Sequence, residues 1–443
     1  MTRHRKPVAI LGAGIAGVTA AAALRRRGVP VRLYEAGRQI AGMAASYKDA
    51  KGFSNDFGAH FITNRLAAAI GVGAACRDVG HYGEAVLLRG RSYGYPFGLL
   101  RNPRMALSGL RSKLKGGRAV PTSAAHYFRT HYGSALADRI AIPLIEAWSG
   151  AKAESLASAA VSEKLQNGTL RSIQLALAGR MTGRAVANGY SHEMPEHMNV
   201  WHVYPEGGVS ILVQRLAQGL EDVIRLESPV QGIVVEDGRV VAVQVADRLE
   251  ECSAAVSTAP CNVLPKLLRG WDGLSHLTNF RFRPMVFVNL RLRGRGLLPD
   301  TVLWTPESEF PFFRLTETTI SMPWLAPPGK SVLTVDFGCE KSEPVWSMTD
   351  EALTEHCLDH LTPIIRDVRL RYLGVQILRT PIAYPVYLNE YEESRQLFRD
   401  STGVKGLYSI GRNGEFAHIL MEDVYWRTLA KVRRITQEFE AAA

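Results

Sequence analysis

The chain alternates short apolar runs with glycine-rich turns and amphipathic stretches, and this pattern assigns most of its elements. Val8-Ala9-Ile10-Leu11 is an apolar run of strand length, followed by a turn with glycines at 12, 14 and 17 and an Ala-rich stretch that reads as a helix. A second strand-like run, 29–34, stops at Glu35. Residues 65–200 are rich in Ala, Leu and Arg with helical periodicity and read as a mostly helical insertion. Then "VYPEGGVSILVQRLAQGL", 203–220, is a Gly turn feeding a helix, and "VIRLES", "VQGIVVEDGRVVAVQV" and "AAVSTAP" read as strands, with "EDG" as a hairpin turn. "MVFVNLRLRG" near 285 and "SVLTVDFG" near 331 predict a second sheet, and 406–435 reads as a strand, a Gly turn and a terminal helix.

These elements predict an α/β fold whose first lobe is discontinuous. Residues 1–64, 201–265 and 401–443 build that lobe, 65–200 are the helical insertion, and 266–400 form a mixed α/β substrate domain. With 443 residues, more than one lobe is expected, because single cores stop growing at roughly 250–300 residues. No apolar run approaches the roughly 20 residues that cross a bilayer, and a cytoplasmic protein is the expectation. Five cysteines without C-x-x-C spacing read as buried thiols of a reducing compartment, with neither a metal site nor a disulfide framework.

Charge narrows the partners. The excess of 11 basic residues is partly local: 101–120 holds Arg101, Arg104, Arg111, Lys113, Lys115 and Arg118 with no acid. A solvated helical face is the first expectation, with a peripheral membrane contact or an anionic substrate as the alternative. No nucleic-acid module is found, so nucleic acid is not expected as a partner.

The strongest chemical signal is G-x-G-x-x-G at Gly12, Gly14 and Gly17, between a strand and a helix. Gly12 allows a tight turn, Gly14 a close approach of backbone to pyrophosphate, and Gly17 close packing of helix on strand. The helix N-terminus adds amide donors and a positive dipole. Glu35, closing the second strand, suits a ribose 2′-hydroxyl and repels a 2′-phosphate, which favours FAD or NAD over NADP. A signal peptide would leave Glu35 unexplained.

The whole pattern resembles the FAD-dependent superfamily of amine oxidases, protoporphyrinogen oxidases, phytoene desaturases and UDP-galactopyranose mutases, with the mutase-like branch nearest. The resemblance implies FAD as cofactor and a Rossmann-like FAD-binding domain, discontinuous, with a second β-sheet substrate domain. In "RQIAGMAAS", Arg38 and Gly42 match the superfamily's Arg-x-Gly-Gly element, with Ala41 in place of its first glycine. "DFGAHFITN" is similar to the mutase element beside the flavin, which carries over Gly58, Ala59 and His60. "YPEGGVSIL" matches the segment capping the active side of the flavin, and Val230 stands where a backbone pairs with adenine. In "SIGRNGEFAHILMEDV", Gly411, Arg412 and Met421 match an ending in which Gly-Arg approaches the cofactor and the next helix points its N-terminus at the isoalloxazine. There a helix dipole or an Arg stabilises the negative charge of the reduced ring. With Ala16 and Ala36, these complete the cofactor-binding set.

His60, Arg314 and Tyr384 are the candidate catalytic residues. His60 is either a core histidine or a flavin neighbour. Arg314, between Phe312, Phe313 and Leu315, is a substrate contact or a partner of Glu317. Trp148, Tyr384 and Tyr387 fill either a core or a substrate pocket. No second Arg is evident to join Arg314 in a diphosphate clamp. The expected function is an FAD-dependent oxidoreductase acting on a small organic molecule, an anionic one among the candidates, by hydride transfer to flavin N5. The alternatives are a non-redox mutase-like isomerase that uses reduced FAD as a nucleophile on a sugar-type substrate, and a flavin-binding protein without catalysis.

Overall fold

The computed structural model describes residues 6–58, 60–95, 98–99, 103–115, 121–163 and 169–441; Ala59, Arg101 and Arg118 lie outside them. Val8–Leu11 (β1) is apolar at every position and buried throughout, so it needs cover on both faces. It takes a central place in a five-stranded sheet ordered Ile224–Arg225, Val31–Tyr34 (β2), β1, Ala254–Ser257, Leu407–Ser409. All neighbours run parallel, so the start, middle and end of the chain meet in one sheet. Successive residues face opposite sides. Val8 and Ile10 share a core with Val18, Ala21 and Leu24 of helix Ile15–Arg25 (α1), whereas Ala9 and Leu11 share one with Ile233, Val235 and Val243.

Those last residues belong to a separate four-stranded sheet, Arg248–Glu251, Arg239–Val245, Val230–Glu236 and Leu268–Arg269. Its hairpin turns on Asp237 and Gly238, both left-handed with φ of 50° and 70°, the two-residue turn that matches strand twist. The expected hairpin is therefore present, stacked on the parallel sheet rather than extending it.

The other lobe carries a seven-stranded sheet ordered Tyr372–Pro385, Phe282–Arg293, Lys330–Gly338, Arg314–Glu317, Val302–Trp304, Glu84–Leu88, Arg91–Tyr95. Its centre contains both runs expected to form a second sheet. Its edge is a hairpin, Glu84–Leu88 with Arg91–Tyr95, from the stretch read as mostly helical. Arg89 and Gly90, with φ of 51° and 71°, make the same kind of two-residue turn. Helices Pro103–Lys115, Ala124–Tyr132, Ile142–Ser149 and Thr169–Thr182 follow, with a π turn at Ala137–Ala141 leading into the third. The helix Met421–Ala441 returns to pack on α1. No described helix is long and apolar enough to cross a membrane.

Candidate functional site

The loop after β1 is shaped by its glycines. Gly12 has a φ of 98°, and a Cβ there would fall 2.2 Å from Oγ1 of Thr258, whose hydroxyl donates to the Leu11 carbonyl. A Cβ on Gly17 would fall 1.9 Å from the Gly12 carbonyl oxygen, so helix and loop meet only because residue 17 lacks a side chain. Gly14 is different: nothing lies within 4 Å of its Cβ position. It is the N-cap of α1, which has no side-chain cap and no acid in its first turn. The free amides and dipole of α1 thus open onto space beside Gly14, which suits an anion.

Several of the other residues expected to bind the cofactor gather around this loop. Glu35 accepts from the Ala13 amide at 2.7 Å and the Gly37 amide at 2.8 Å, which orients its carboxylate beside the turn. The Ser228 amide donates to the Glu35 carbonyl, bringing the start of Val230–Glu236 to the same rim. Ala36 is exposed at this edge. Gly42 faces Gly14, and Gly411, with a φ of 79°, comes so near Ala16 that a Cβ would lie 2.9 Å from that methyl. Ala41, which replaces a glycine of the superfamily pattern, is left-handed with a φ of 96°.

A second group lies where the lobes meet. Gly58, with a φ of 72°, sits against Phe287 and Arg314. His60 places Nδ1, buried without a hydrogen-bond partner among the described residues, 4.0 Å from the buried Asp56 carboxylate, which accepts from the Tyr204 hydroxyl. Arg314 donates from Nε to Asp336 Oδ2 at 2.7 Å and lies over the Trp304 ring. Glu317 is not its partner. Three residues along a strand is an odd spacing, so the two side chains face opposite ways, and Glu317 instead accepts from the amides of Gly296, Leu297 and Leu298.

Arg412 stacks on Tyr384, its guanidinium 4.6 Å from the ring centroid, with Nη2 3.1 Å from His418 Nδ1. Trp148 packs 4.8 Å from His418 and 5.0 Å from Tyr384, and the Tyr387 hydroxyl accepts from the His418 amide. Among the described residues no carboxylate lies within ion-pair distance of Arg412, and its Nε is buried without a hydrogen-bond partner.

Electrostatics couples the cluster. Burial pushes His60 below the ordinary histidine range; Asp56 opposes this, while Arg412 and Arg314 add to it, so His60 is neutral at pH 7. Burial also pulls Arg412 below the ordinary arginine range, with Tyr384 and Tyr387 opposing and Arg314 adding to it. At Arg314 burial is the largest single influence and works against the charge, but Asp336, Tyr384 and Tyr82 together outweigh it, and the guanidinium stays charged. The side chains of His60 and Arg314 keep 23% and 18% of their surface accessible. The result is a second guanidinium near Arg314, the one the sequence did not supply beside it. Met421 opens the terminal helix, but Glu422 and Asp423 in its first turn offset the dipole. They bind Thr63 and Arg65, and Ser191, respectively. Arg412 supplies positive charge near that junction.

Comparison with known proteins fits this architecture. A family model for flavin containing amine oxidoreductase matches residues 15–425. The chain belongs to this family. Its cofactor is FAD, and it is a flavin-dependent enzyme. The fold is similar to that of a reduced UDP-galactopyranose mutase, with a TM-score of 0.79 and 17% identity over 98% of this chain and 96% of that one. A protein described as a protoporphyrinogen oxidase from Exiguobacterium sp. 255-15 gives 0.76 and 20%, over 98% and 99%. Cyclohexylamine oxidase from Brevibacterium oxydans IH-35A gives 0.73 and 16%, over 98% and 100%. The open N-terminus of α1, the Glu35 carboxylate and the uncompensated Arg412 fit the pyrophosphate, ribose and electron-accepting ends of FAD.

Three participants were not singled out from the sequence. Asp336 had a usable signal, a lone acid in the apolar run "VLTVDFG". Asp56 lies within a motif already quoted. His418 had a signal too, standing with Phe416 where the resemblance leads one to expect tyrosines after Gly-Arg, but its place against Tyr384 needs the folded terminal turn.

Proposed function

We propose that this flavoenzyme oxidises, desaturates or isomerises a small anionic molecule held between the two lobes. Gly12, Gly14, Ala16, Gly17, Glu35, Ala36 and Val230 would hold the adenosine diphosphate half of FAD. Gly42, Gly58, Ala59, His60, Gly411, Arg412 and Met421 would surround the ring system. FAD, when bound, supplies the two-electron chemistry.

The chain supplies charge, orientation and dryness. Arg412 is the observation that carries this reading: a deeply enclosed cation without a carboxylate is costly unless an anion joins it. Arg314, fixed by Asp336, adds a second positive group facing the same space. His60 is neutral and lies 4.0 Å from Asp56 without a hydrogen bond to it, so its ring can accept or donate one hydrogen bond to substrate. Phe287, Phe313, Trp304 and Tyr384 form an apolar wall that keeps water away.

A non-redox, mutase-like reading is favoured by one feature, the pairing of Arg314 with Arg412, which suits a diphosphate. The two separate experimentally. Oxygen consumption or peroxide formation with an anionic candidate substrate supports the redox enzyme. Turnover seen only after dithionite reduction, without net electron transfer, supports the isomerase. Protein that is colourless and takes up no added FAD overturns both.

A further inference from the structure

The helix Pro103–Lys115 has its amphipathic faces the wrong way round for a helix that serves only the fold. Its inward side is Met105, Ser108, Gly109 and Ser112. Met105 packs with Val86, Leu99 and Ile140; Ser108 accepts from the Ala135 amide; Ser112 donates to the Arg129 carbonyl; and Gly109 lies near the Tyr132 carbonyl. The opposite side presents Leu107 and Leu110, 49% and 56% exposed, flanked by the exposed Arg104 and Arg111. In sequence the leucines continue at Leu114, so 107, 110 and 114 repeat at i, i+3 and i+7, with Lys113 and Lys115 beside them. No Asp or Glu occurs from 85 to 137, a stretch with nine Lys and Arg.

We propose that this face docks on an anionic lipid surface, with the helix lying in the plane of the interface. A merely solvated face has no use for a row of leucines. A stripe of leucines bordered by basic residues and free of acids matches what a headgroup layer offers: apolar depth below and negative charge at the rim. The charge argument selects anionic lipid over a neutral apolar partner. The helix also covers the Met105 cluster, which abuts Trp304 of the apolar wall, so the docked face lies one layer from the candidate site.

The test is co-sedimentation of the FAD-loaded protein with vesicles of phosphatidylcholine alone or mixed with phosphatidylserine. Binding is expected to the mixed vesicles and to weaken as salt rises. Leu107→Ser with Leu110→Ser is expected to lower partition by about tenfold or more, and Arg111→Ser by about fivefold at low salt. Both variants keep FAD content and melting temperature, because these side chains point outward. Equal binding to neutral vesicles, no binding to the mixed ones, or unchanged binding by the leucine variant overturns the proposal. So does a leucine variant that melts at markedly lower temperature, which would mean that the chain itself covers this face. A dimer abolished by the leucine changes would assign the face to a second copy instead.

Discussion

Gly17 and Gly12 meet so closely that a methyl group at 17 would sit 1.9 Å from the carbonyl oxygen of 12. Within a helix, Gly→Ala ordinarily stabilises by about 1 kcal/mol. Here the clash is with backbone and dominates. Gly17→Ala is expected to cost about 3 kcal/mol and to release FAD. Thermal melting and flavin absorbance of the purified variant check this, and an unshifted melt would contradict the packing.

Glu35 both orients the turn and offers its carboxylate to a ribose. Glu35→Ala removes these bonds together, and FAD retention should fall by about ten- to a hundredfold, as for lost hydrogen bonds to a charged group. Glu35→Gln, which keeps one acceptor, should fall between. Flavin titration decides; full retention by the Ala variant would displace the ribose from this residue.

Ala41 pays for its left-handed backbone, a conformation that glycine adopts without strain. Ala41→Gly should therefore raise stability by about 1 kcal/mol, the reverse of the usual trend. A lower melting temperature would show that the methyl, buried beside the loop, matters more than the strain.

Arg314 and Asp336 form a buried pair, and breaking one side is far more costly than replacing both. Arg314→Ala or Asp336→Asn alone should each cost about 3 kcal/mol. Arg314→Met combined with Asp336→Leu should recover most of that. The double variant should still raise KM for an anionic substrate while keeping its FAD, and an unchanged KM would remove Arg314 from the binding surface.

His202 lies among Phe61, Tyr82 and Tyr190, and burial pushes it down to about 4 from an ordinary 6.5. The unfolded chain therefore takes up its proton first as pH falls. The stability that the neutral ring provides is full above pH 6.5 and is lost progressively down to about pH 4, on the order of 3 kcal/mol. His202→Phe should flatten this part of the acid limb in melts between pH 7 and pH 4. An identical limb would place the titration elsewhere, at His60 or His356, the other histidines that burial shifts in the same direction.

What the sequence revealed follows the range of the forces involved. The loop at Gly12, Gly14 and Gly17 was legible because its constraints are local, fixed by turn and helix within six residues. The hairpin at Asp237 and Gly238 was legible for the same reason. The Arg314 partner was not: Glu317 is near in sequence, but Asp336 is near in register, and register is set by two strands pairing across the sheet. Arg412 could be assigned to the cofactor lobe, yet its approach to Arg314 depends on how the lobes close. The edge hairpin at 84–95 escaped because a short pair of strands is diluted in a long Ala- and Leu-rich stretch, although Arg89 and Gly90 mark its turn.

Because Leu407–Ser409 completes the parallel sheet alongside Ala254–Ser257, the cofactor's cradle cannot be finished until residue 409 has been made. A nascent polypeptide would carry Ala254–Ser257 with one edge unpaired from its own synthesis until residues 407–409 emerge. Any message ending prematurely before residue 407 would yield a product with that edge open, prone to self-association and unable to turn yellow.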